Sequence, residues 1–316
     1  MKLTRRTAIK TLGAATLTAK AISQPSKSLS AESAKVGIPI GFSTYGLPGT
    51  SIDDAVAMAL RVGYDTLELC VTEDRDECAE KLSFKQRRDT RRRIYQSGLE
   101  ISSLMAHLQP LDSAERHQLD LERLKRISNL AHDLSPELPP VIQTVLGGTD
   151  WKTQQGLLVE RLASWAKIAK DHEVTVAIKP HRGHAMSRPT EAKWLIEQLG
   201  SPPSLKMWFD YSHFVLRDMT MDQTVQDSLP ILAGVAVKDA KLVEGKVRFA
   251  LPGEAGTIDY KELFSTLYEG GYREAVCVEV SSQVWKRPDY RAFEAMDKSY
   301  VAISNALIRA QIPRRH

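Results

Sequence analysis

The sequence predicts a single-domain α/β protein, a closed (β/α)8 barrel of the TIM type. Eight strand–helix units follow one another within about 277 residues, from Val36 to Ile312. Their strict alternation implies a parallel sheet, and eight repeats in that length match a closed barrel. No internal linker interrupts the rhythm after residue 35.

The elements follow in order. Val36–Ser43 is a β-branched, apolar run, and Ser51–Val62 continues with helical spacing at Ile52, Val56, Ala59 and Leu60. Ser51 with Asp54 marks the start of that helix and Gly63 its stop. Thr66–Val71 reads as the second strand, and Ser83–Gln96 as a helix stopped by Gly98. Ile101–Ala106 is the third strand and leads into the long helical pattern Ser113–Asp133. Pro139 and Pro140 open the fourth strand, Val141–Leu146, and Gly147-Gly148 close it. Trp151–His172 is helical, with Leu157, Leu158, Leu162, Trp165 and Ile168 along one side. Val174–Ile178, Leu205–Phe209, Ile231–Val237 and Ala275–Val280 complete the strands. Thr190–Leu199, Met221–Leu229, Tyr260–Leu267 and Tyr290–Arg309 are the helices between and after them. Lys241–Gly256 reads as a polar excursion after the seventh strand. A doubly wound open sheet would place a glycine-rich phosphate turn after the first strand, and Gly41-Phe-Ser-Thr-Tyr-Gly46 is not one.

The first 35 residues read differently. Arg5-Arg6, the weakly apolar run Thr11–Ala19 and the small-x-small site Ala19-Lys20-Ala21 occur in the order of a twin-arginine export signal. Residues 1–21 are therefore read as a signal peptide, 22–35 as a flexible leader and 36–316 as the barrel. That reading places the mature protein in the periplasm and makes the export machinery a partner of the precursor. Removing the signal takes the formal charge from +4 to about −1, so the apparent basicity belongs to the address.

Charged residues make up 26% and apolar residues 42% of the chain, a soluble globular balance, and no run approaches the roughly 20 apolar residues of a membrane span. Lys85–Arg93 carries six Lys or Arg in nine residues within a helical pattern, which reads as a solvated face and not as a nucleic-acid surface. Cys70, Cys78 and Cys277 form neither a metal-type spacing nor a disulfide framework, and Cys277 is expected in the core.

In barrels of this type the chemistry sits where strands end and βα loops begin. Parallel strands are otherwise apolar, so an ionisable group at the last inward position needs a reason. The third strand ends at His107, and the fifth at Lys179-Pro180-His181-Arg182-Gly183-His184. The sixth ends at Asp210-Tyr211-Ser212-His213, the seventh at Lys238-Asp239 and the eighth at Glu279. Alternation puts Lys179 above Ala177 and Glu279 above Cys277, small residues suited to a barrel interior. A lone Asp at such a place is commonly a helix cap, and a lone Lys is commonly solvated. Five ends converging on one rim point to a cleft. Glu279, Lys179, Asp210 and Lys238 are the expected catalytic groups; His107, His181, Arg182, His213 and Glu68 are the expected substrate contacts.

Ala177-Ile-Lys-Pro-His181, Phe209-Asp-Tyr-Ser-His213, Val235-Ala-Val-Lys-Asp239, Leu251-Pro-Gly-Glu-Ala-Gly256 and Val278-Glu279 carry a family resemblance. In order, spacing and strand position they resemble the xylose-isomerase-like superfamily of sugar isomerases and epimerases, over essentially residues 36–312. The resemblance implies one divalent metal (Mn, Mg or Zn) held by Glu, Asp, His and Glu from strands five to eight. That metal would polarise a ketose while the glutamates move protons through an enediolate. Asp210 and Glu279 match this set, but the first Glu falls on Lys179 and the His on Ala236. An ammonium has no lone pair to give a metal, so the departure is not conservative. It implies a rebuilt, metal-free site, with Asp210, Glu279 and His213 the ligands that remain should a metal bind.

The implied activity is isomerase or epimerase chemistry on a keto-sugar or related small-molecule carbohydrate. Two alternatives stay open: a carbohydrate-binding paralogue without catalysis, and Schiff-base lyase or aldolase chemistry at Lys179.

Overall fold

A computed structural model of the chain describes residues 37–314. The twin-arginine segment, its cleavage site and the whole of the leader lie outside the described residues.

Eight parallel strands close into one barrel. In chain order the elements are β1 (Ile40–Ser43), α1 (Ile52–Val62), β2 (Thr66–Cys70), α2 (Phe84–Ser97), β3 (Glu100–Met105), α3 (Ala114–Leu134), β4 (Val141–Thr144) and α4 (Trp151–Asp171). They continue as β5 (Val176–Ile178), α5 (Pro189–Gln198), β6 (Leu205–Phe209), α6 (Met221–Ser228) and β7 (Leu232–Val237). A hairpin, β8 (Asp239–Val243) with β9 (Lys246–Ala250), precedes α7 (Tyr260–Glu269), β10 (Val276–Val278), α8 (Ser282–Trp285) and α9 (Ala292–Arg309). Each barrel strand pairs with its chain neighbour, and β10 closes the ring between β7 and β1.

The helices begin and end where their chemistry dictates. The Ser51 hydroxyl accepts from the Asp54 amide, and Ser83 forms a reciprocal capping box with Gln86. Gly63 and Gly98 terminate α1 and α2 in the left-handed region, at φ 104° and 79°. The main core lies between the barrel's outer face and the helices, and includes Phe42, Leu67, Ile142, Trp165, Phe209 and Phe264. The basic run of α2 is solvated, and Lys85 and Arg92 both pair with Asp89.

Inside the barrel Ala177, Trp208, Ala236 and Cys277 form a second, smaller apolar cluster. Small residues were expected there, and Trp208 is the exception. Its indole fits because position 234 is glycine, where an added Cβ would fall 2.0 Å from Trp208 Cζ3. The ladder register shifts between Met207 and Trp208, and again between Leu67 and Glu68, so both shifts adjoin a large inward side chain.

The segment after β7 corrects the sequence reading. The expected polar excursion is an antiparallel hairpin with Asp239 opposite Ala250 and Val243 opposite Lys246. Its turn residues Glu244 and Gly245 both take positive φ, 50° and 71°. Cys70, Cys78 and Cys277 are all buried free thiols, and no described helix is long and apolar enough to cross a membrane.

Candidate active site

Strand geometry delivers the charged groups. Ala177, Trp208, Ala236 and Cys277 point into the barrel, so the residues two further along, Lys179, Asp210, Lys238 and Glu279, point the same way. The ladder continues far enough to hold two of them. The Lys179 amide donates to the Thr144 carbonyl at 2.8 Å, and the Glu279 amide to that of Val237 at 3.1 Å.

The four side chains form a closed ring of alternating charge. Lys179 Nζ donates to Glu279 Oε2 and lies 3.2 Å from Asp210 Oδ2. Lys238 Nζ donates to Asp210 Oδ2 and, at 2.8 Å, to Glu279 Oε1. All four are buried, Glu279 the most open at 7% exposure. Two ammoniums against two carboxylates leave no net charge, which is the condition for keeping ions at such depth. Burial alone would raise both carboxyls. The two ammoniums outweigh it, holding Asp210 well below the usual carboxylate range and Glu279 at about 2. Burial likewise opposes the charge on Lys179, but Glu279 and Asp210 raise its pKa above that of an ordinary lysine. The far oxygen of Asp210 accepts from the Ser212 amide at 3.1 Å and from its hydroxyl at 2.6 Å.

A cavity of about 340 Å³ opens over this ring at the C-terminal mouth of the barrel, lined among others by Tyr45, His107, His181, Lys179, Lys238 and Glu279. Its size sits at the small end of the range for small-molecule sites. An ammonium has three N–H donors; Lys238 spends two on the carboxylates, and Lys179 spends one on Glu279 while pairing with Asp210 at 3.2 Å. One donor on each is left for a ligand.

The expected substrate contacts separate into two groups. His107 and His181 line the cavity; His107 holds a left-handed backbone, φ 47°, and its ring lies edge-on to Tyr45 at 5.6 Å. His213, Glu68 and Arg182 are not among the cavity-lining residues. His213 is fully buried and supports the wall from behind, its ring 4.1 Å from His181 and 5.1 Å from Phe249. Glu68 lies within the barrel, where it accepts from Ser103 at 2.7 Å and Gln143 at 3.2 Å. Burial raises its pKa. Asp210, at 0% exposure, anchors the lysines and does not line the cavity. Asp239 turns away from the ring, and its carboxylate accepts from the amides of Ala255 at 3.2 Å and Gly256 at 2.9 Å.

Among the wall residues that the sequence reading does not single out are Tyr45, Gln143, His184 and Phe249. His184 stood in a motif already noted; the other three carry no charge and no spacing signal. Phe249 reaches the cavity only because the hairpin folds back, its amide donating to Gln283 Oε1 at 3.0 Å. Its ring then lies 5.2 Å from Lys238 Nζ, within cation–π range.

Burial and the charge of Lys238 lower the pKa of His213 to about 4, against the pull of Asp210. The unfolded chain takes up this proton near pH 6.5, whereas the folded one does not until about pH 4. The associated stability is therefore fully present above about pH 6.5 and lost as pH falls toward 4, by about 3 kcal/mol. Urea midpoints measured across this window should decline, and His213→Gln should flatten the slope whatever it does to the overall level. An unchanged slope in that variant would show that His213 is not the titrating group.

The barrel, its charged mouth and the chain's similarity to known proteins agree. Residues 56–298 match the family described as xylose isomerase-like TIM barrel. The chain belongs to that family. It is 27% identical over 278 residues to L-ribulose-5-phosphate 3-epimerase UlaE of Escherichia coli K12, covering 82% of this chain and 93% of that protein. The structure of the IOLI protein with a bound zinc atom superposes with a TM-score of 0.69 at 15% identity, over 87% of this chain and 98% of that one. A xylose isomerase-like protein of Mycobacterium smegmatis in complex with magnesium gives 0.65 at 16% identity, over 86% and 97%.

The last two of these structures hold a metal, and the donors present here do not suit one. Among the described residues no group of three or more His, Cys, Asp or Glu is arranged to hold an ion. More decisively, Asp210 Oδ2 and both carboxylate oxygens of Glu279 are taken by two ammoniums. A dication would meet two like charges at the very atoms it has to bind.

Proposed function

We propose that this family member acts on a keto-sugar or related carbohydrate by proton transfer through an enediolate, with two lysines in place of the metal. The observation that carries the reading is the ring of Lys179, Asp210, Lys238 and Glu279 beneath the cavity, with one N–H donor unspent on each lysine. These two donors polarise the ketose carbonyl and stabilise the oxyanion that develops on it. Glu279 is the base. While clamped it is a weak one, held at about 2 by burial offset by both ammoniums. As negative charge grows on the substrate oxygen the ammoniums shift toward it, and the proton affinity of Glu279 rises in step. Export to the periplasm through the twin-arginine signal is part of the same proposal.

A Schiff base at Lys179 is disfavoured, because two carboxylates keep its nitrogen protonated and deprive it of the lone pair a nucleophile needs. The carbohydrate-binding reading draws support from one fact: the carboxylates are already satisfied at rest. Hydrogen exchange separates the two readings. Chelator-treated protein, incubated in D2O with a panel of ketoses and their phosphates, should place deuterium on the carbon next to the carbonyl, with metal content well below one ion per chain. Exchange that depends on one bound ion per chain would restore the metal-dependent reading. No exchange with any ketose that binds would leave a binding protein.

A further inference from the structure

We infer that Glu68 is a positioning residue, fixing the Gln143 amide so that its oxygen faces the cavity as the acceptor for a hydroxyl beside the substrate carbonyl. The inference rests on the carbohydrate reading above and adds the group that selects the ligand.

Three neighbouring strands build the device. Glu68 on β2, Ser103 on β3 and Gln143 on β4 are buried, each at most 1% exposed. β3 lies between the other two strands, and the three side chains meet inside the barrel. The Ser103 hydroxyl donates to Glu68 Oε2 at 2.7 Å, and Gln143 Nε2 donates to the same oxygen at 3.2 Å. Ser43, whose hydroxyl oxygen accepts from the Tyr45 amide, bonds Glu68 from β1. A carboxyl group is costly to keep at this depth. Among the described residues no ion pair reaches it. Neutral donors alone hold Glu68, so what it governs is their orientation.

A carboxylate has only acceptors to offer, so Gln143 turns its NH2 toward Glu68 and its oxygen the other way. Gln143 lines the cavity. Among the described residues no group donates to its Oε1, and that atom is not one of the polar atoms sealed in protein without a partner. The cavity is the space left for it to face.

The site needs such an oxygen. Asp210 Oδ2 and both oxygens of Glu279 are taken by ammoniums, and the lysines present donors only. A ketose brings two neighbouring groups of opposite sense, a carbonyl that accepts and a hydroxyl that donates. Lys179 and Lys238 suit the first, and Gln143 Oε1 suits the second. An unrestrained amide is free to turn over and present its NH2, which an ether or a second carbonyl satisfies as well as a hydroxyl does. Glu68 excludes that state. A ligand without the hydroxyl then strips water from Gln143 Oε1 and gives nothing back.

Dihydroxyacetone is the probe, because it carries a hydroxyl on each side of its carbonyl and has no stereocentre; acetone has the carbonyl alone. Binding of each to the full chain is followed by NMR titration, which reads millimolar affinities. Wild type should bind dihydroxyacetone at least about tenfold more tightly than acetone. Gln143→Met, similar in shape but without the amide oxygen, should bring the two affinities to within about twofold. Glu68→Gln, able to donate as well as accept, should lower the preference by about threefold or more, a change that a purely structural role would not produce. Thermal melts show which variants are folded, and the Glu68→Gln ratio carries the test should Gln143→Met not fold. Equal affinities in wild type, no saturable binding of dihydroxyacetone, or a preference unchanged in both variants would overturn the inference. A preference lost in Gln143→Met but intact in Glu68→Gln would remove Glu68 from it. Preference without deuterium exchange keeps the acceptor and loses the proposed reaction, whereas exchange with an unchanged preference in both variants does the reverse.

Discussion

Glu279→Gln should lower the rate of deuterium incorporation into a ketose by about 10²–10⁴-fold, the range for losing a general base. Glutamine keeps the shape and one acceptor oxygen, so each ammonium can retain a hydrogen bond. It cannot take a proton from carbon. The variant also leaves the ring with one excess positive charge at a buried site, so some loss of stability is expected alongside the kinetic effect. A thermal melt separates the two, since a folded variant with wild-type ligand binding and no exchange has lost chemistry alone. Exchange continuing near the wild-type rate would move the base elsewhere. Glu68 would then be the first alternative, because burial raises its pKa.

The second large effect concerns metal. From the family pattern alone, Lys179→Glu with Ala236→His restores the ligand set and should create a divalent site. The structure adds a second obstacle, because Lys238 donates to both Asp210 and Glu279 and remains in the double variant. A single ammonium about 4 Å from a dication opposes binding by several kcal/mol at an effective dielectric near 20, which is a factor of about 10³ or more. The double variant should therefore bind zinc or manganese weakly, and the triple variant with Lys238→Met should retain one ion per chain through gel filtration. Tight binding by the double variant would show that Lys238 swings clear, and that the clamp is looser than its four contacts suggest. Stoichiometric metal in purified wild type would overturn the two-lysine mechanism altogether.

Some of this was legible in one dimension. Strand and helix periods alternate eight times, caps such as Ser51 and stops such as Gly63 and Gly98 are local, and each acts within a few residues of itself. Period-two alternation then carries Lys179, Asp210, Lys238 and Glu279 to one interior, because a closed parallel barrel leaves the inward side chain at each strand end nowhere else to go. Fold and charged mouth followed from patterns that a short window of sequence contains. Pairing did not. That Lys238 joins Lys179 across the two carboxylates, that Trp208 needs glycine at 234, that the hairpin folds Phe249 over the cavity, and that Gln143 meets Glu68 are all contacts between distant segments. Arg182 and His213 do not line the cavity for the same reason, whereas Glu68 sits within β2 with its carboxylate held by Ser103 and Gln143. Alternation fixes the face of a strand a residue occupies, whereas a residue beyond the strand end points where loop closure and its neighbours send it. Those directions are set by packing among segments far apart in sequence, which only the closed barrel brings together.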